Sequence, residues 1–195
     1  MTDHCWYTVK IDVENAFNPS FVPPVPDHNP IQIWAYPAST VFNSDWLEYT
    51  KVLGITFKNG FIFYRHNYVE AQRAHIDTYY DDPTQTIHFG FNWVFSGGKG
   101  SKMIWYEHPK EKAEIKWTQA KTPYIIWPVT NLKPIEEYEI GNKLTLVKTG
   151  IPHEIYNIPE NRWSMSARID VPHGTSWDYI VDYLNERNLL ESREV

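Results

Sequence analysis

The chain has 195 residues, 42% of them hydrophobic and 22% charged, with a formal net charge of −6. That is enough chain to bury one core, and the composition excludes a disordered tail or a collagen-like repeat. The acidic balance repels phosphate backbones and argues against tight non-specific binding of nucleic acid.

Nine Trp, thirteen Tyr and nine Phe, with fourteen Pro and nine Gly, favour β-structure with long loops over a helical bundle. One cysteine, Cys5, excludes an internal disulfide and suits a reducing compartment. The opening MTDHCWYTVK has neither a basic nor an apolar segment, so no signal peptide is expected and the expected location is cytoplasmic. No apolar run approaches the roughly 20 residues of a membrane helix, so no membrane partner is expected. Residues 1–195 read as a single domain.

Taken in order, residues 6–13 alternate as a strand with Val9, Ile11 and Val13 on one face. Five prolines between 18 and 30 make a loop or an extended arm. Residues 31–36 read as a strand, and Asp45 with Glu48 caps a helix of about two turns that Gly54 closes. In 55–64, Asn59-Gly60 between β-branched and aromatic runs predicts a tight hairpin. Further strands are predicted over 73–79, 86–95, 102–107, 143–148, 153–157 and 162–171, with Gly97, Gly98 and Gly100 forming a turn. The Pro-interrupted stretch 118–139 has no assignable structure. Thr175 with Asp178 caps a C-terminal helix bearing Trp177, Ile180, Val181 and Leu184 at helical spacing. Many short strands and one amphipathic helix predict a mainly β fold, a sandwich or jelly roll with helices flanking it.

Of eight histidines, only His75 is followed two places later by a carboxylate, Asp77. On a strand, residues i and i+2 share a face, so both side chains would enter one cavity. With a histidine from a strand distant in sequence they would make the facial two-histidine, one-carboxylate triad of non-haem Fe(II) oxygenases. The tripeptide alone has a high false-positive rate. Downstream, Gly150-Ile151-Pro152 breaks a strand and His153 opens the next one. Nine residues later Arg162, Ser164, Ser166 and Arg168 fall on one face by alternation. Two buried guanidiniums need an anion, and a planar carboxylate matches their geometry, so this face would line a pocket for a dicarboxylate.

With His75, Asp77, His153, Arg162 and Ser164 in this order, the sequence resembles the 2-oxoglutarate/Fe(II)-dependent dioxygenases. The stretch PHEIYNIPENRWSMSARID is similar to the last two strands of their prolyl-hydroxylase branch. The resemblance spans roughly residues 55–171 and rests on the motifs. It implies a double-stranded β-helix (a cupin-like jelly roll) with Fe(II) held by His75, Asp77 and His153. It further implies 2-oxoglutarate as co-substrate, anchored by Arg162 and Ser164 with Arg168 as a second candidate, and O2 as oxidant. The products would be succinate, CO2 and a hydroxylated substrate, a small molecule or a peptide of unidentified structure. Two alternatives stay open: a cupin-type metal enzyme that does not use 2-oxoglutarate, and a non-catalytic jelly-roll binding or structural protein.

Other polar residues have weaker claims. Asn92 shares a predicted strand face with His88 and Gly90 and is a candidate hydrogen-bond donor to 2-oxoglutarate or substrate. Tyr79 and Tyr80 follow the metal motif and are candidates for a loop that covers substrate. His66 and His108 are alternative ligands, whereas His4, His28 and His173 read as surface residues.

Overall fold

A computed structural model describes residues 4–67, 74–118, 121–127, 132–156 and 158–192. The strands are β1 (Trp6–Thr8), β2 (Ile31–Pro37), β3 (Phe57–Arg65), β4 (His75–Asp77), β5 (Phe89–Gly97), β6 (Lys102–Tyr106), β7 (Glu114–Trp117), β8 (Pro123–Ile126), β9 (Pro134–Tyr138), β10 (Thr145–Lys148), β11 (His153–Tyr156) and β12 (Arg162–Ile169). The helices are α1 (Ala38–Val41), α2 (Ser44–Val52) and α3 (Trp177–Glu186). None of the described helices is long and apolar enough to cross a membrane.

The strands form two six-stranded antiparallel sheets, ordered β1-β10-β5-β12-β3-β2 and β7-β8-β4-β11-β6-β9. From β3 to β6, and again from β10 to β12, successive strands alternate between the two sheets. Period-2 side-chain alternation then gives each strand of the first sheet two different jobs. On β5, Phe91 and Trp93 face a core shared with Val41, Trp46, Ile180 and Leu184 of the helices, together with Ile62 and Met165. Val94 faces the other way, into a second core with Val147, Met103, Trp105 and Ile155 that joins the two sheets. Fully buried side chains such as Phe91, Ile62 and Met165 contribute roughly 1.5–3 kcal/mol each.

The predicted hairpin at Asn59-Gly60 does not form. Both residues lie inside β3, with Gly60 registered between Ala167 of β12 and Tyr36 of β2. Pairing on both edges outweighs the local turn preference. Glycine is needed here for packing: a Cβ would lie 2.8 Å from Val41 Cγ1 and 3.1 Å from Met165 Sδ. The helix caps shift by one or two residues. Asn43, rather than Asp45, accepts from the Asp45 N–H, and Ser176, rather than Thr175, accepts from the Tyr179 N–H. Gly54 does close α2, at a φ of +86°.

β2 runs one residue past its predicted end, and the remaining strands are shorter than expected. The first ends at Thr8, although Val9, Ile11 and Val13 are all buried in one core as predicted. Arg73 and Asn157, the expected ends of two strands, lie outside the described residues, as do 119–120 and 128–131. Within 118–139 the structure places β8 and β9, and β7 precedes them where no strand was predicted.

Candidate metal centre

His75 and Asp77 project from the same face of β4, as the i, i+2 spacing predicts. His153, the first residue of β11, stands directly opposite His75 and is its registered partner across the two strands. The histidine that is distant in sequence is therefore an immediate neighbour in the same sheet. The imidazole centroids are 4.5 Å apart, and His75 Nε2 is 3.6 Å from Asp77 Oδ1. One ligand atom from each of the three residues lies within 4.8 Å of the others, the one such cluster of His, Cys, Asp or Glu among the described residues.

The donor set suits a divalent cation. His153 Nδ1 is 2.9 Å from the Ile151 carbonyl oxygen, which can only accept, so Nδ1 carries the proton and Nε2 presents its lone pair. Burial, partly opposed by Asp77, pushes the His153 pKa below its ordinary value and keeps the ring neutral. Burial alone would raise the Asp77 pKa. The charge of Arg168 and its hydrogen bond, joined by His153 and His75 only when those rings are protonated, outweigh it and hold the carboxylate ionised. Two neutral imidazoles and one carboxylate are the ligands that facial-triad metals take.

Arg168 comes from the facing sheet. Its Nη2 donates to Asp77 Oδ2 at 2.6 Å and its Nη1 to Ser166 Oγ at 2.9 Å. Asp77 thus gives one oxygen to the guanidinium and turns the other toward His75. Gly90 of β5 makes room for this, because a Cβ there would lie 1.8 Å from Arg168 Nη1. An isolated glycine inside a strand is a legible mark of close approach, but it does not say what approaches.

Arg162 and Ser164 share the inner face of β12 with Ser166 and Arg168, as the alternation predicts. Arg162 Nη1 donates to Ser164 Oγ at 2.8 Å, and both residues are buried. Sequence reasoning missed Arg65, on the same inner face of β3 and registered directly opposite Arg162. It is only 3% exposed. Burial lowers the Arg65 pKa to about 10, and burial with the neighbouring Arg65 charge lowers that of Arg162 to about 9. Asn92 lies between Thr145 and Ser166 across the first sheet, and its Oδ1 is buried without a donor.

A cavity of about 330 Å³ opens onto this centre and is lined by His75, Asp77 and Arg168, with Phe61, Phe63, Tyr79, Tyr80 and Tyr124 among its aromatic walls. The expectation that the whole polar face of β12 lines it needs correction. Of its four polar residues only Arg168 does; Arg162, Ser164 and Ser166 lie beyond the cavity wall, as do His153 and Asn92. Tyr79 and Tyr80 border the cavity, where a covering loop would place them. His173 is exposed, as expected, and stacks on Tyr79 at 3.9 Å along the cavity wall. His88 also lines it, with its pKa lowered by burial and by Lys148. His66, hydrogen-bonded to the Asp27 carbonyl, and His108, edge-on to Trp127, join no ligand cluster among the described residues.

No family model and no curated protein matches the chain. Among solved structures, the X-ray structure of E. coli ycfD is similar over 68% of this chain at 18% identity and a TM-score of 0.34. This chain covers 31% of that protein's length, and likeness at this level carries no argument about fold or activity.

Proposed function

We propose that the chain is a 2-oxoglutarate- and Fe(II)-dependent oxygenase built on a double-stranded β-helix. The observation that carries this reading is the convergence of His75, Asp77 and His153 within 4.8 Å, with His75 and Asp77 lining an aromatic cavity. Two facing antiparallel sheets whose successive strands alternate support the jelly-roll topology. Buried Arg162, tied to Ser164 on the sheet facing the triad, supports a dicarboxylate co-substrate.

His75, Asp77 and His153 would hold the metal. When bound, it would supply O2 activation coupled to oxidative decarboxylation, converting 2-oxoglutarate, O2 and a substrate C–H into succinate, CO2 and the C–OH product. The protein's own residues bind and position. The Ile151 carbonyl fixes the His153 tautomer, Arg168 orients the Asp77 carboxylate, and Arg162 offers the counter-charge for the far carboxylate. Phe61, Phe63 and Tyr124 line the cavity and limit water beside the reacting centre.

The test is succinate release from 2-oxoglutarate with Fe(II) and O2, screened across amino acids, peptides, nucleotides and a no-substrate control. Succinate formation that Asp77→Ala abolishes is expected. Equal succinate formation in that variant would overturn the reading. An anaerobic titration with Fe(II) and 2-oxoglutarate should also give a weak visible charge-transfer band.

A further inference from the structure

The inner face of the first sheet carries two arginines with no acid beside them. At the level of Arg162 the sheet reads, from strand to strand, Ile31, Arg65, Arg162 and Gly97. The next row inward reads Ile33, Phe63, Ser164 and Val94. Neither row contains a carboxylate, and no ion pair of Arg65 or Arg162 occurs among the described residues. Arg65 Nε and Nη1 and Arg162 Nε are sealed from solvent without any acceptor. A guanidinium does not shed its proton at working pH, so two such groups side by side stay charged, desolvated and mutually repelling. Phe63 lines the cavity, and Arg65 is the next residue on that face of β3. The paired cations therefore sit one rung beyond the inner end of the cavity.

We propose that Arg65 is a second anchor for the co-substrate, clamping with Arg162 a single carboxylate that enters past Phe63. This rests on the oxygenase reading for the ligand's identity, a dicarboxylic acid whose other end lies at the triad, but not for the presence of an anion site. Arg65 lies well before the His-x-Asp motif in sequence, and only strand pairing brings it opposite Arg162. The clamp is completed by the anion: without one, the two charges oppose folding, and with one, they hold the ligand and the β3–β12 pair together. Arg65 is thus a binding residue whose removal has opposite effects on the empty and the loaded protein.

The experiment is thermal denaturation of the metal-free 195-residue chain titrated with succinate, 2-oxoglutarate or sulfate against chloride at matched ionic strength. It is run on wild type, Arg65→Met and Arg65→Lys. In wild type, succinate and 2-oxoglutarate should raise Tm saturably. In Arg65→Met, the Tm without carboxylate should equal or exceed that of wild type, and the apparent Kd for succinate should weaken by roughly tenfold or more. Arg65→Lys, which keeps the charge but loses the planar fork, should fall between them. A purely structural arginine would instead lower the Tm of the empty protein and leave the succinate Kd unchanged, which overturns the proposal, as does a wild-type Tm indifferent to every carboxylate. If Arg65→Met fails to fold, an unchanged Kd in Arg65→Lys overturns it equally. Carboxylate binding through Arg65 without 2-oxoglutarate turnover would support the clamp and remove only the oxygenase reading. Turnover with an unchanged Kd in Arg65→Met would do the reverse.

Discussion

His75 and His153 form the one registered pair between β4 and β11, so a backbone ladder sets the spacing of two imidazoles whose centroids are 4.5 Å apart. Ligands held on paired strands need little reorganisation to accept a metal. Replacing His153 with Ala should abolish binding of Co(II), a spectroscopic stand-in for Fe(II), while the folded β-signature in circular dichroism persists. Retention of the wild-type Co(II) spectrum in that variant would count against the centre.

Asp77 and Arg168 are separated by 91 positions in the chain yet joined across the two sheets at 2.6 Å. Removing one partner strands the other charge in a partly buried place. Asp77→Ala should therefore destabilise the metal-free protein by roughly 1–3 kcal/mol as well as abolish metal binding. The double variant Asp77→Ala, Arg168→Met should recover part of that loss. Additive urea-denaturation energies in the double-mutant cycle would show that the pair does not interact.

Two strand glycines make opposite predictions. A methyl at Gly60 meets Val41, Phe42 and Met165 in the core, so Gly60→Ala should cost about 1–3 kcal/mol through overpacking, leaving metal affinity intact. A methyl at Gly90 meets the tip of Arg168, a flexible side chain that can move. Gly90→Ala should cost roughly 1–3 kcal/mol, through separation of Arg168 from Asp77 rather than overpacking, and should weaken metal binding. Equal metal affinity in the two glycine variants would contradict this division.

Acid should destabilise the metal-free protein in two stages. The folded His153 pKa lies below 6.5, so the unfolded chain takes up the proton first as pH falls through that value. The stability this represents is present above pH 6.5 and is lost below it. His88 has the same sign. Asp77, lowered from 3.8, contributes stability above that value that disappears as pH falls through its folded pKa. Urea denaturation at pH 8, 6 and 5 should show a decline on acidification that is smaller in His153→Gln. A rise in stability across that range would contradict the assignment.

Arg162→Met should weaken 2-oxoglutarate binding while leaving Co(II) affinity near wild type, because Arg162 lies outside the ligand cluster. Loss of metal with retention of 2-oxoglutarate would reverse the assigned roles.

Alternation along a single strand is a local property of the extended backbone, and there the amino-acid order was decisive. It put His75 with Asp77, and Arg162 with Ser164, Ser166 and Arg168, on common faces, and the structure keeps both groupings. The amphipathic spacing of α3 was legible for the same reason. Pairing between strands is a different matter, because it joins residues far apart in the chain whose register no local pattern records. Only the folded sheets could show that His153 lies beside His75, that Arg168, a second candidate for the co-substrate carboxylate, pairs with Asp77, and that Arg65 confronts Arg162. The same physics misled the local reading at Asn59-Gly60, where two flanking strands and a crowded core hold in extended form a dipeptide that on its own would turn.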